Sequence, residues 1–315
     1  MTPEEIRRVE SATGAAVREV RSLAGGYSHA TSLVELADGG RVVVRCGGEA
    51  PLVEAAVMRE AARAGIPVPA VRCVLPASDG GDRAVTVLEF VEGELLGEVL
   101  EADRCAPEDA AALGAEVGST ISRIGRVSFD RPGFFDGEGL APGAGEPWSA
   151  QLPAFARQCM ARTPAERLAA EEREAWAALC ARLAPALDRV DAHARLVHAD
   201  ANPKNILISR RSGAWQVAAV LDWEFAFSGS PYADAANMLR FERDYPAGFR
   251  EGFRAGFAAR PPAGLPLEAD WLFLGRILDM FALSDLATRP PGHAIADRAA
   301  AAMRGWLEEG VPDRP

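Results

Sequence analysis

Hydrophobic and polar positions change period several times along the chain, and each change marks a different kind of element. Thr2-Pro3-Glu4-Glu5 has the form of a helix start, with Pro at the first helical position and Glu three residues after Thr. A two-residue alternation then covers residues 17–23, 31–36 and 41–45, and Asp38-Gly39-Gly40 supplies a tight turn, so three strands are expected. Residues 52–64 carry a helical pattern that stops at Gly65, ahead of Pro67-Val68-Pro69. Residues 71–75 and 83–91 read as two further strands around the polar turn 78–82.

From Pro107 the texture is helical, with Leu113, Val117, Ile121 and Ile124 at i, i+4, i+8 and i+11, and Gly125 as the stop. Residues 131–147 are rich in Gly and Pro around Phe134-Phe135-Asp136 and read as a long loop, a place for part of a substrate mouth. Thr163-Pro164-Ala165-Glu166 is a second capped start, leading a helix through Leu168, Trp176, Leu179 and Leu183. Beyond Asp234, helices are expected over 237–241, 245–257 and 271–286, with a Pro-rich break at 260–266.

The most informative stretch lies between these helical parts. Leu196-Val197, Ile206-Leu207-Ile208 and residues 217–221 read as three short buried strands, each delivering polar residues to its end. Asp200 lies two residues after His198, Asn205 five after Asp200, and Asp222 beyond a turn at Ser212-Gly213. Phosphoryl transfer needs a carboxylate to accept the proton of an attacking hydroxyl, and an amide oxygen plus a second carboxylate to hold magnesium. One loop and one strand end supply all three. Upstream, Gly25-Gly26-Tyr27-Ser28 between two strands would let backbone amides approach phosphate oxygens, with Ser28 as a further donor, although an ordinary hairpin uses the same residues.

The wider composition narrows the partners. A formal net charge of −11 opposes binding to nucleic acid or an anionic membrane and suits a cationic ligand. The 315 residues are 49% apolar and 25% charged, an ordinary globular balance with room for one large or two modest domains. The five cysteines have no C-x-x-C or metal-like spacing and read as reduced thiols of a cytoplasmic protein. The N-terminus does not read as a signal peptide, and no apolar run approaches the ~18 residues of a membrane span.

H-A-D-A-N-P-K-N, followed 22 positions after Asp200 by D-W-E and then by G-S-P-Y-A-D-A-A, resembles the aminoglycoside phosphotransferase family of small-molecule kinases. That family usually has Gly where this chain has Ala199, and commonly His-Pro-Gly where it has Asn202-Pro203-Lys204. The resemblance implies an α+β, bilobal, protein-kinase-like fold, with a strand-rich nucleotide-binding lobe over residues 1–92 and a mainly helical catalytic and substrate-binding lobe over 93–315. It implies ATP, with GTP as the alternative, and Mg2+. Asp200 would be the catalytic base and Asn205 and Asp222 the metal ligands, with His198 and Asp234 supporting the loop. Glu224 would assist a second metal or bond the loop. Arg45 stands where such kinases place a phosphate-holding lysine, and retains charge and bidentate geometry. Its glutamate partner would be Glu54, with Glu60 the competitor. Backbone groups around Glu89 and Val91 would meet adenine.

The resemblance also implies that acids on the C-terminal helices grip a polycation, with Asp279, Asp285, Glu242 and Asp244 as candidates. The expected substrate is a cationic antibiotic, an aminoglycoside or a basic cyclic peptide of the capreomycin and viomycin type, giving a resistance enzyme that is a monomer or homodimer. A kinase of choline, an amino alcohol or a sugar would share these motifs, and Trp148, Trp223, Trp271 and Tyr232 are available for an aromatic cage. A kinase-like module without activity is the reading from another class, against which stand the retained Asp200, Asn205 and Asp222. A protein kinase would show D-F-G and A-P-E, where this chain has Asp222-Trp223-Glu224.

Overall fold

The structure, a computed structural model, describes residues 1–23, 29–77, 83–101, 105–262 and 264–314. Helix α1 (Pro3–Thr13) starts at Thr2, whose hydroxyl accepts the Glu5 N–H while the Glu5 carboxylate accepts the Thr2 N–H. Strands β1 (Val17–Ser22), β2 (His29–Leu36) and β3 (Arg41–Gly47) follow, then α2 (Pro51–Arg63), β4 (Val71–Leu75) and β5 (Val85–Glu89). They form an antiparallel sheet in the order β1-β2-β3-β5-β4. Side chains alternate across it: Val34, Val42, Val44 and Val87 pack with Val9 of α1, whereas Leu88 joins Val57, Met58 and Ala61 of α2. β5 covers Val85–Glu89, inside the expected 83–91, and ahead of it the Arg83 guanidinium donates to Glu5 Oε1 at 2.7 and 3.0 Å.

The chain then passes to β6 (Glu94–Leu95), α3 (Leu96–Glu101), α4 (Pro107–Ile124), β7 (Gly133–Asp136), β8 (Ala141–Pro142), α5 (Trp148–Arg162) and α6 (Ala170–Leu183). β9 (Arg195–Val197), β10 (Ile206–Arg211), β11 (Ala214–Val220) and β12 (Phe227–Gly229) carry the polar segment, and α7 (Tyr232–Met238), α8 (Ala247–Ala258), α9 (Trp271–Ala287) and α10 (Ala294–Glu309) complete the chain. β11-β10-β6 form one small sheet and β8-β7-β12-β9 another. The sheet-rich first part and helical second part make a mixed α+β, kinase-like fold. Among the described residues, no helix is long and apolar enough to cross a membrane.

Three expectations need correction. Residues 131–147 are not an unstructured loop: β7 and β8 form a hairpin there, and β7 also pairs with β12, a partner far away in sequence. Helix α5 went unread because Pro153 lies inside it; burial of Leu152, Ala156, Cys159 and Met160 outweighs that breaker. Thr163 closes α5, its hydroxyl donating to Cys159 O at 3.0 Å, and the next helix begins at Ala170, with the Glu172 carboxylate accepting the Ala169 N–H at 2.7 Å.

The α4–α8 contact sets the spacing of the helical part. Gly114 and Gly118 of α4 face the backbone of α8 around Phe249 and Phe253, and Gly252 and Gly256 of α8 face Ala111 and Ala115 of α4. A Cβ on Gly118 would stand 2.8 Å from Phe257 N, so only hydrogen permits the approach. Gly125 acts by space as well: its φ is −64°, and a Cβ there would meet Pro231 Cβ at 2.7 Å.

Candidate active site

β9 delivers His198 into the core, where its Nε2 lies 2.8 Å from Leu221 O and its Nδ1 accepts the Asp200 N–H at 3.2 Å. These partners place the ring proton on Nε2. Burial lowers the His198 pKa to about 4, so the ring is neutral and serves as a strut, 4.5 Å from the buried Trp223 ring. Asp234, near the start of α7, accepts the backbone N–H groups of His198 and Ala199 at 2.8 and 2.9 Å. Those bonds fix Ala199 at φ +68°, a left-handed conformation that costs a Cβ-bearing residue about 1–2 kcal/mol.

The turn after Ala199 aims Asp200. Asn202 Nδ2 donates to its Oδ1 and Asn205 Nδ2 to its Oδ2, both at 2.8 Å. Burial raises the Asp200 pKa to about 6; Arg240 pulls it down, Asp222 pushes it up, and the two amides favour the ionised form. The result is a carboxylate clamped at both oxygens with a proton affinity close to neutral, the properties wanted in a general base.

Asp222 follows β11 at φ +63°. From the five-stranded sheet, the nearly buried Arg45 of β3 donates to Asp222 Oδ1 at 2.6 Å and to the Glu54 carboxylate of α2. Burial opposes both charges of the Arg45–Glu54 pair: it raises the Glu54 pKa despite Arg45, while Glu54 and Asp222 together hold Arg45 above its usual range. Glu60 instead meets Arg63 on the surface at 2.7 Å. Asn205 uses its amide nitrogen on Asp200, which presents its oxygen as a ligand, and Asp222 adds a partly exposed carboxylate. Two hard oxygen donors beside the Arg45 guanidinium fit magnesium, which takes few protein ligands and completes its shell with phosphate and water.

The remaining candidates separate. Glu89 ends β5, its N–H bonded to Ala70 O at 2.8 Å, and Val91 follows in the segment that crosses to β6. Glu224 occupies the turn after Asp222. Ser28 and its glycine loop lie outside the described residues. Each of the four C-terminal acids is paired with an arginine. Asp279 is buried and accepts Arg240 at 2.8 and 2.5 Å, which ties it to the positive charge near Asp200. Glu242 is held by Arg254 and Arg276, Asp244 by Arg298, and Asp285 by Arg289 one turn on. Of the four aromatic candidates, Trp271 stacks on Phe257 and touches Tyr232, Trp223 packs on His198, and Trp148 borders a cavity.

Three polar residues of the site carry no role that the sequence alone assigns: Asn202, Asn237 and Arg240. Asn237 donates to Ala199 O at 3.3 Å, and Arg240 sets a positive charge near Asp200. Asp234, Asn237 and Arg240 recur every three residues, which puts them on one side of α7 and its continuation, beneath the loop. That spacing was the available signal.

A family model described as the phosphotransferase enzyme family matches residues 19–269. The chain belongs to this family. Among solved structures, the phosphotransferase is similar to aminoglycoside phosphotransferase APH(4)-Ia, with a TM-score of 0.71 and 19% identity over 98% of this chain and 100% of that one. A thermostable mutant of that enzyme in ternary complex with ADP and hygromycin B gives 0.70 at 19% identity, over 97% and 98%. Macrolide 2'-phosphotransferase MphH from Brachybacterium faecium gives 0.55 at 22% identity, over 96% and 98%. At these identities the likeness is one of fold. Comparison with the curated proteins finds no match.

Proposed function

We propose that the chain is an ATP-dependent O-phosphotransferase that moves the γ-phosphoryl group to a hydroxyl of a cationic antibiotic. The observation that carries this reading is the convergence of Asp200, Asn205 and Asp222 at one loop and one strand end, with Arg45 reaching Asp222 from the opposite lobe. Arg45 would hold phosphate oxygens in its planar fork, and Glu54 would keep that fork oriented. Asp200 would accept the hydroxyl proton as oxygen attacks phosphorus, its direction set by Asn202 and Asn205. Asn205 and Asp222 would hold Mg2+, which supplies charge neutralisation of the phosphates. The sheet of residues 17–89 would form the nucleotide lobe, and the chain beyond about residue 92 the lobe that receives the acceptor.

For the acceptor, support comes from the net charge of −11 and from the hygromycin B bound by the similar APH(4)-Ia mutant. The test is incubation with Mg2+ and ATP against aminoglycosides, capreomycin, viomycin, macrolides and choline, read as a gain of about 80 Da, the mass of one phosphoryl group. Asp200→Asn should lower kcat by roughly 10²–10⁴-fold with AMP-PNP affinity retained. Near-normal turnover by that variant would remove Asp200 from the mechanism.

A further inference from the structure

The carboxylates expected to grip a polycation are already engaged. Asp279 serves Arg240, Glu242 serves Arg254 and Arg276, Asp244 serves Arg298, and Asp285 serves Arg289. A different surface offers itself beside the catalytic loop. Phe134 is 63% exposed and Phe225 51%, two of the three exposed large apolar side chains among the described residues. Single exposed apolar residues mean little, but Phe134 belongs to an aromatic row. The Phe134 ring stands 5.5 Å from Phe227 and 5.8 Å from Trp148, and Phe227 lies 5.1 Å from Trp148.

The row is tied to the site by strand pairing. Phe227 pairs with Phe134 on one side and with Val197 on the other, and Val197 is three residues before Asp200. Strands lie ~4.8 Å apart, so β7 runs about 10 Å from β9, a span one large ring system covers. Phe225 follows Asp222 by three residues. At the far end, between the β7–β8 hairpin and the start of α5, lies a cavity of about 420 Å³ bordered by Phe134, Trp148, Gln151, Glu146 and Asp191. Its lining includes no Lys or Arg, in contrast to the C-terminal acids. Asp191 already accepts the Ser149 N–H and hydroxyl, which leaves Glu146 as the charge available to a ligand.

We propose that the acceptor is an amine carried on a broad apolar ring: the ring lies along Phe227 and Phe134, and the ammonium enters the cavity between Phe134, Trp148 and Glu146. This rests on the phosphotransferase reading and narrows its substrate class. Aromatic faces and one carboxylate around a cation are a familiar recognition chemistry, and they favour a single ammonium over a dense polycation.

The experiment compares erythromycin, one dimethylammonium on a large apolar ring, with kanamycin, a polycation lacking such a face, as acceptors for the wild type and for Phe134→Ala, Phe134→Tyr and Glu146→Gln. Binding of AMP-PNP with Mg2+ is measured in parallel. The proposal expects turnover of erythromycin, a KM raised about tenfold by Phe134→Ala and by Glu146→Gln, and a KM restored by Phe134→Tyr. Preference for kanamycin, unchanged KM in both disruptive variants, or no turnover of either compound by a protein that still binds AMP-PNP would overturn it and leave the kinase reading standing. Loss of AMP-PNP binding in the wild type would sink both.

Discussion

Gly118→Ala tests the packing that sets the distance between α4 and α8. The added Cβ would overlap the Phe253 carbonyl and stand 2.8 Å from Phe257 N and 2.9 Å from Phe253 C. Unstrained carbon contacts begin near 3.5 Å, so the helices must separate by roughly 1 Å, opening gaps where Phe249, Phe253 and Phe257 are fully buried. Overpacking of this kind costs about 1–3 kcal/mol and occasionally more, and because the obstacle is backbone and not a flexible side chain, the upper end applies. Alanine's better helix propensity offsets about 1 kcal/mol, leaving a net loss of about 2 kcal/mol. Gly305→Ala in α10 is the control, since nothing lies within 4 Å of its Cβ position; propensity alone should stabilise the protein by about 0.5–1 kcal/mol. Urea unfolding of the two variants should therefore move the midpoint in opposite directions at similar slope. A Gly118→Ala protein within about 0.5 kcal/mol of the parent would refute the argument that the glycines are required by close approach.

Arg45→Met leaves the Glu54 carboxylate buried without its cation and should destabilise the protein by about 3 kcal/mol, while Arg45→Met combined with Glu54→Gln recovers most of that. Additive losses in that double-mutant cycle would show that the two do not act as a pair. Ala199→Gly removes a left-handed cost of about 1–2 kcal/mol and adds roughly 0.5–1 kcal/mol of chain entropy, so the urea midpoint should rise slightly; a clear fall would contradict it. Asp234 titrates at about 7 in the fold, above the ordinary carboxylate range of an unfolded chain, so the stability it contributes is complete below about pH 4 and is lost as the pH rises towards 7. Asp234→Asn, with no proton to lose, should flatten the stability curve between pH 4 and 7, and an unaltered slope would assign that dependence to other groups.

The strands of the first lobe and the Asp200, Asn205 and Asp222 constellation were legible in the sequence, because both rest on short-range rules. Alternation at residues 41–45 requires no distant partner, and Asp200 and Asn205 lie in one loop whose hydrogen bonds fix their spacing along the chain. The Arg45–Glu54 contact also lies within reach, nine residues apart. Helix α10 is not legible in the sequence, its alanine-rich stretch offering little contrast between faces, and β7 has the sequence character of a loop because its ladder is completed by β12.

The fate of the acids shows where sequence stops. Composition establishes that the chain is strongly acidic, and the embedding of Asp279 in apolar residues establishes that it needs a partner. Only the fold decides that the partner is Arg240, 39 residues earlier, and that Glu242, Asp244 and Asp285 are likewise neutralised by arginines. Ion pairing depends on positions in space after the helices dock, and a linear pattern of charges does not encode which opposite charge arrives first. The same holds for the aromatic row: Phe134, Trp148 and Phe227 are scattered over the chain and become one surface through strand pairing and the docking of α5. The sequence by itself determined the loop that carries Asp200 and Asn205, which local spacing controls; the tertiary structure decided which acids are paired and which rings form one surface, because those are assembled from segments that meet only when the core closes.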